Sequence, residues 1–241
     1  MRSLTTSREH QIVLTEAQRL LDNCILFSGL SPDERDVISA RARIRTYKAS
    51  ETIFAMGSPG EHIMALLSGT IRISIPFSEG KELFLAIVQP GEIFGELAVF
   101  DGNERSADAI AETACTLAIL DRNDILSFFE RNPSLWPKLV KLLAQRLRQT
   151  DQAFAEVALL QLPVRLAKTI LRILNQETNS SVAKTFKIRF SQRELANMVG
   201  STRESVNKCF RDWQNDRIVK MSKGSIIVTN RSAFERIAGV T

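Results

Sequence analysis

Short β-rich runs of largely apolar residues recur along the chain from about residue 43 to residue 121. The runs are IRTYKA, HIMALLSG, TIRISIPF, KELFLAIVQP and TACTLAIL, and Gly, Pro, Ser and Asn residues separate them. Many short strands with regular turns are typical of a barrel-like β-roll. A short helix is predicted just before them over residues 31–40, because Ser31, Pro32 and Glu34 are common at helix starts.

After Asn132 and Pro133 the apolar period becomes that of a long helix, which is predicted to extend to about residue 160. Apolar residues fall at the a and d positions of one heptad register: Val140, Leu147 and Phe154, and Trp136, Leu143 and Val157. A period of 3.5 residues sustained over three heptads favours a two-helix seam between subunits. The alternative is a helix that packs against its own roll.

The last third of the chain has the spacing of a winged helix-turn-helix. Its predicted elements are a helix over 164–177, a polar loop (TNSSVAK), a strand (FKIRF), a helix capped by Ser191 and Glu194, a turn at Gly200, a helix from Ser201 or Thr202, and a hairpin over 217–229 around Lys223 and Gly224. The hairpin is interpreted as the wing.

Charge separates the same two parts of the chain. Residues 161–241 have 15 Lys or Arg and 6 Asp or Glu, a net charge of +9, whereas residues 1–160 have a net charge of −4. Basic residues that neutralise phosphates gain free energy by releasing counterions, so the basic module suggests a polyanionic partner. A basic domain without such a partner is the alternative.

The remaining composition excludes several classes of protein. Cys24, Cys115 and Cys209 are far apart, and His10 and His62 are the two histidines, so we expect no disulfide framework, iron–sulfur cluster, haem, metal site or catalytic triad. No apolar run is long enough for a membrane span or a signal peptide. We therefore expect a soluble, cytoplasmic protein without enzyme activity.

The most specific motif lies in residues 91–111, GEIFGELAVFDGNERSADAIA. Its GEL at 95–97 and RSA at 105–107 resemble the phosphate-binding cassette of cyclic-nucleotide-binding domains. A buried cyclic phosphate needs a fixed positive charge, which the planar fork of Arg105 can supply, and a glycine such as Gly95 that lets the backbone approach. Glu96 is expected to accept the ribose 2'-hydroxyl, and Ser106 is expected to donate to the phosphate.

This resemblance extends from about residue 24 to residue 230 and is to the cyclic AMP receptor branch of the Crp/Fnr regulators. It implies an α+β fold with an N-terminal extension (1–23), a cyclic-nucleotide-binding β-roll (24–131), a dimerisation helix (132–160) and a winged helix-turn-helix DNA-binding domain (161–241). The implied partners are a second copy of the chain, double-stranded DNA with a palindromic site, a cyclic nucleotide as allosteric ligand and RNA polymerase, with no cofactor and no membrane. The nucleotide-binding residues that it implies are Leu85, Phe94, Gly95, Glu96, Leu97, Ala98, Arg105, Ser106, Ala107, Thr150 and Asp151.

Thr150 and Asp151 match the family positions that contact the purine amino group. Asp151 stands where the cyclic AMP receptor usually has Ser, and its carboxylate can accept from an exocyclic amino group. Ser106 could reach the 2-amino group of guanine. Both cyclic AMP and cyclic GMP therefore stay open as ligands. A second alternative is a Crp/Fnr-type regulator that is constitutive or that responds to another ligand.

Residues 191–213 resemble the DNA-reading motif of the same family, with Arg203, Glu204 and Lys208 at its base-reading positions. Arg203 and Lys208 can donate to guanine O6 and N7, and Glu204 can accept from cytosine N4. The DNA-binding residues that the resemblance implies are Gln192, Ser201, Thr202, Arg203, Glu204 and Lys208. A solvated helix face is the alternative.

Overall fold

The computed structural model describes residues 26–77, 82–177, 186–188, 190–222 and 225–239. The predicted N-terminal extension, Cys24, His10, the polar loop after residue 177 and the wing tip at Lys223 and Gly224 lie outside the described residues. The chain divides into two compact units, Met1–Gly80 with Leu85–Leu147 and Lys81–Phe84 with Arg148–Thr241.

The predicted roll belongs to the first unit except for residues 82–84, which are grouped with the second. Helix α1 (Pro32–Arg41) begins with a capping box, in which Ser31 accepts from the backbone N–H of Glu34 and Glu34 accepts from that of Ser31. The strands are β1 (Arg43–Tyr47), β2 (Thr52–Phe54), β3 (His62–Ser68), β4 (Ile71–Pro76), β5 (Glu82–Val88), β6 (Ile93–Phe94), β7 (Asp108–Ala111) and β8 (Cys115–Asp121). They form two sheets in the orders β1-β8-β3-β6 and β2-β7-β4-β5.

Three further helices complete this part of the chain. They are α2 (Glu96–Asp101), α3 (Arg122–Arg131) and the long helix α4 (Trp136–Leu159). The sequence did not predict α3, whose Ile125, Phe128 and Phe129 are buried in the roll core. Helix α4 begins at Trp136 rather than at residue 132 because Pro133 opens a separate 3-10 turn and Pro137 fits only a first helical turn.

The second unit contains the helix-turn-helix. Its elements are α5 (Leu162–Glu177), β9 (Phe186–Ile188), α6 (Gln192–Met198), α7 (Arg203–Asn215), β10 (Val219–Ser222), β11 (Ser225–Val228) and α8 (Arg231–Ala238). The strands form one sheet in the order β10-β11-β9. Helix α8 was not predicted; it begins after Asn230, whose side chain accepts from the backbone N–H of Ala233.

Two aromatic clusters contain the tryptophans. Trp136 packs edge-on against Phe129 and against Phe100 of α2, with ring centroids 5.0 and 5.8 Å apart. Trp213 packs edge-on against Phe210 and Phe234 in the second unit. Each unit therefore has its own aromatic cluster.

The apolar residues of the α4 stripe differ in how far their own chain covers them. Leu147 and Phe154 are 62% and 75% exposed, and Val140 is exposed as well. Trp136 packs on the aromatic cluster, and Leu143 packs against the roll core. The a positions are thus uncovered, whereas two of the predicted d positions are partly covered by the chain's own roll.

Cys115 and Cys209 are buried free thiols, and burial raises the pKa of each. Across the described ranges, no cluster of three or more His, Cys, Asp or Glu residues could hold a metal ion. None of the described helices is long and apolar enough to cross a membrane.

Candidate anion-binding and nucleic-acid sites

Gly95 makes the sharp turn between β6 and α2. Its φ is +76°, in the left-handed region where a side chain is strained. A Cβ at this position would lie 2.6 Å from Nη1 of Arg105 and 3.4 Å from the carbonyl oxygen of His62. Both the backbone conformation and the close approach of Arg105 therefore require glycine here.

Arg105 is held inside the roll by backbone carbonyls and an aromatic ring. It is 4% exposed; Nη1 donates to the Gly95 carbonyl at 2.6 Å, and Nη2 donates to the His62 carbonyl at 2.7 Å. Its Cζ lies 4.3 Å from the centroid of the Phe54 ring. Burial lowers the pKa of the guanidinium, and the charge of Glu96 opposes this shift. An arginine side chain is not deprotonated in proteins, so Arg105 is a fixed cation.

The carbonyl of His62 is positioned by sheet pairing and by a side-chain contact with Asp121. His62 faces Asp121 in the register of β3 and β8, and its Nε2 lies 3.0 Å from the Asp121 carboxylate. Arg43 also contacts that carboxylate, at 2.5 Å. These contacts fix the strand end from which His62 accepts the Arg105 hydrogen bond.

Glu96, at the start of α2, is a buried carboxylate with one satisfied oxygen. It is 1% exposed, and its Oε1 accepts from Nη1 of Arg146 on α4. Arg146 Nη2 also donates to the carbonyl of Ile93. Arg146 therefore ties α4 to both sides of the cassette turn.

Two buried polar atoms of this site have no partner among the described residues: Oε2 of Glu96 and Nε of Arg105. Leaving such a group unpaired costs about 1–3 kcal/mol, so unpaired groups are rare in folded proteins. One is an acceptor and the other is a charged donor. The site therefore fits a ligand that brings a hydroxyl group to Glu96 and an anionic oxygen to Arg105.

Arg146 was not predicted as a site residue. It precedes Thr150 by four residues and so shares its helix face, which is the one available sequence signal. The pairing with Glu96 depends on contacts that the local sequence does not encode.

The structure brings only some of the predicted nucleotide-binding residues together. Arg105 contacts Gly95 directly, and Phe54 stacks on Phe94 while its ring also lies beside the Arg105 guanidinium. The remaining members of the roll are either buried, as are Ala98 and Ala107, or exposed, as are Leu85, Leu97 and Ser106. Thr150 and Asp151 are exposed on α4, within the second unit.

Helix α7 is amphipathic in the manner that DNA reading requires. Val206, Phe210 and Trp213 are buried, whereas Arg203, Glu204 and Lys208 are exposed near its first turns. The turn before α7 contains Gly200, with φ of +59°. The predicted base-reading residues thus share the solvent-facing side of one helix.

The other predicted DNA contacts surround the two helix starts. Thr202 is exposed and is the N-cap of α7, where its hydroxyl accepts from the backbone N–H of Ser205 at 3.2 Å. Gln192, in the first turn of α6, and Ser201 are half-buried. Helix N-termini of this kind present backbone N–H groups to which phosphates can bind.

Comparison with known proteins matches both halves of the chain. The cyclic nucleotide-binding domain family matches residues 44–132, and the Crp-like helix-turn-helix domain family matches residues 164–237. The cyclic AMP receptor protein of Thermus thermophilus is 32% identical over 213 residues, covering 88% of this chain and 96% of that protein. A CRP-like cAMP-activated global transcriptional regulator of Mycobacterium tuberculosis is 28% identical over 214 residues, with the same coverage.

Among solved structures, a Crp/Fnr-family transcriptional regulator of Thermus thermophilus superposes with a TM-score of 0.70 at 28% identity, covering 82% of this chain and 98% of that one. A cyclic-nucleotide-binding domain followed by a helix-turn-helix defines a class of transcription regulator. Within that class, the chain belongs to the Crp/Fnr family, in the branch of the cyclic AMP receptor proteins. The family resemblance and the α+β fold class that the sequence predicted are confirmed.

Proposed function

We propose that this regulator is a homodimer whose binding to a palindromic DNA site is controlled by a cyclic nucleotide. The observation that carries the proposal is the unmatched pair of buried atoms, Glu96 Oε2 and Arg105 Nε. A cyclic nucleotide supplies both missing partners, since its 2'-hydroxyl can donate to Glu96 and its phosphate can accept from Arg105. One relative is named as activated by cyclic AMP and another as a cyclic AMP receptor, which makes that nucleotide the first candidate, with cyclic GMP as the second.

In the proposed complex each residue has a separate task. Arg105 provides the fixed charge, Gly95 lets the phosphate approach the backbone, and Ser106 adds a hydroxyl donor. Arg146 holds the Glu96 carboxylate in the orientation that accepts the ribose hydroxyl. Thr150 and Asp151 of α4 accept from the purine amino group.

Calorimetry with cyclic AMP and cyclic GMP, paired with DNA binding in each state, tests the proposal. We expect saturable binding of at least one nucleotide and an increase in DNA affinity of roughly 10-fold or more when it is bound, within the usual range of allosteric coupling. Tight DNA binding with no response to either nucleotide would instead identify a constitutive regulator or a different ligand.

Arg203→Ala should reduce affinity for the specific DNA site by roughly 1–3 kcal/mol and relax the preference at one base position. The reason is that Arg203 is exposed at the start of α7 and can donate hydrogen bonds to guanine in the major groove. The specific site is expected to be a palindrome whose half-sites lie about 34 Å apart. Arg211→Ala removes the same charge farther along α7 and serves as the control. Equal losses on specific and random DNA for Arg203→Ala would count against direct base reading.

Thr150→Ala should retain most of its nucleotide affinity yet require more nucleotide to bind DNA. A ligand shifts an equilibrium only by its differential affinity for two states, so losing a contact to α4 reduces the response more than the binding. The measurement is DNA binding by parent and variant across titrations of cyclic AMP, cyclic GMP and cyclic IMP. Cyclic IMP, which lacks the amino group, should bind the protein but increase its DNA affinity only weakly. If all three nucleotides increase DNA affinity equally, and Thr150→Ala responds like the parent, the purine base is not read by α4.

A further inference from the structure

Glu156 is a buried carboxylate on α4 that nucleotide binding and dimerisation leave unused. It is 9% exposed and lies between Phe154 and Val157, outside the predicted a and d positions of the dimer seam. Burying a carboxylate is unfavourable unless charged and hydrogen-bonding partners compensate. The partners of Glu156 therefore indicate why it is there.

Those partners come from α4 and from the first helix of the DNA-binding domain. Oε1 of Glu156 accepts from Gln152 Nε2 at 3.3 Å, and Oε2 accepts from Arg172 Nη2 at 3.1 Å. The same Arg172 nitrogen lies 3.2 Å from the hydroxyl of Thr169, one turn earlier on α5. All four residues belong to the second unit, so the network joins the last turns of α4 to α5.

Arg165 makes a second connection at the same place. Its Nη1 donates to the carbonyls of Leu160 at 2.9 Å and Val157 at 3.1 Å, and its Nε donates to the carbonyl of Val199 at 3.1 Å. The carbonyl of Val157 lies in the last turn of α4 and that of Leu160 directly follows the helix, where helical partners run out, and the carbonyl of Val199 precedes the turn of the helix-turn-helix. One guanidinium from α5 thus holds the ends of α4 and α6.

We propose that these contacts form a joint that fixes the angle between the second half of α4 and the helix-turn-helix, and that Glu156 is its positioning residue. Only Leu160 and Gln161 separate α4 from α5, so the backbone alone leaves this angle poorly determined. Binding both half-sites of a palindrome requires that angle to be the same in each subunit. Binding one half-site does not require it.

The expected effect on binding to a palindromic site rests on the proposed dimer. The stability of the joint itself can be measured without nucleotide or DNA. In the full-length chain, Glu156→Ala should raise amide hydrogen exchange over residues 157–165 by about 10-fold or more while the roll strands and the core of α7 keep their protection. Arg172 is half-exposed and can be solvated when Glu156 is removed, so the domain is expected to fold. Glu156→Gln, which keeps the shape and one acceptor, should show a smaller rise.

Two further variants make the exchange result specific. Glu235→Ala breaks the Arg231–Glu235 pair of α8 in the same unit and should leave residues 157–165 unchanged. Exchanging the charges, with Glu156→Arg and Arg172→Glu together, should restore protection that either change alone removes. Unchanged exchange in Glu156→Ala, or a rise across the whole unit, would overturn the proposal.

DNA binding then tests the function of the joint. Glu156→Ala should weaken binding to a palindromic site by about 10-fold and binding to a single half-site by no more than about twofold, since only the former depends on the angle. Equal effects on both sites would overturn the positioning role. The nucleotide response of the parent chain, measured in parallel, reports separately on the proposed function.

Discussion

Arg105→Ala is expected to weaken cyclic AMP binding by roughly 2–4 kcal/mol, about 30- to 1000-fold, the cost of removing a buried charge-assisted partner. The guanidinium is already fixed by the carbonyls of Gly95 and His62 and by the ring of Phe54, so its charge is in place before a ligand binds. Isothermal calorimetry with the purified variant measures the loss directly.

Arg45→Ala is the matched control for this experiment. Arg45 is an exposed arginine of the same roll whose Cζ lies 4.5 Å from the centroid of the Tyr47 ring, so its removal also deletes an arginine–aromatic contact. It should leave nucleotide binding unchanged. If Arg105→Ala binds as well as the parent while remaining folded, the nucleotide pocket lies elsewhere.

Leu147→Asp is expected to weaken dimerisation by about 100-fold or more. Leu147 is an a position of α4 and is exposed within one chain, so the change leaves the fold of the subunit intact. In a symmetric seam it places two carboxylates in an apolar interface, which is costly because neither has a partner. Sedimentation at several protein concentrations measures the effect.

Gln145→Asp provides the control for the seam. It introduces the same negative charge two residues earlier, at an exposed position on the opposite side of the heptad. This variant should associate like the parent. If Leu147→Asp dissociates over the same range of protein concentrations as the parent, the subunit interface lies on another surface.

Local signals explain which elements the sequence could predict. The capping boxes at Ser31 and Ser191 and the turn at Gly200 depend on residues close in sequence, and the structure has each of them. Helices α3 and α8 are short and gain their stability from burial against residues distant in sequence. Local sequence patterns therefore do not predict these two helices.

The same distinction applies to the candidate anion site. Gly95, Glu96 and Arg105 could be predicted because they lie in one motif of eleven residues. The partners that complete the site are the carbonyl of His62, the ring of Phe54 and the guanidinium of Arg146. They arrive on β3, β2 and α4, and only the folded sheets and the long helix bring them to the motif.

The separate aromatic clusters give the protein two native fluorophores in different surroundings. Trp136 and Trp213 are the two tryptophans of the sequence, one in each unit. Trp136 touches Phe100 on α2, one turn from Glu96, whereas Trp213 is enclosed by Phe210 and Phe234. A Trp213→Phe chain would leave a single emitter beside the cassette helix, so quenching or a wavelength shift on adding a nucleotide would report events there without an attached dye.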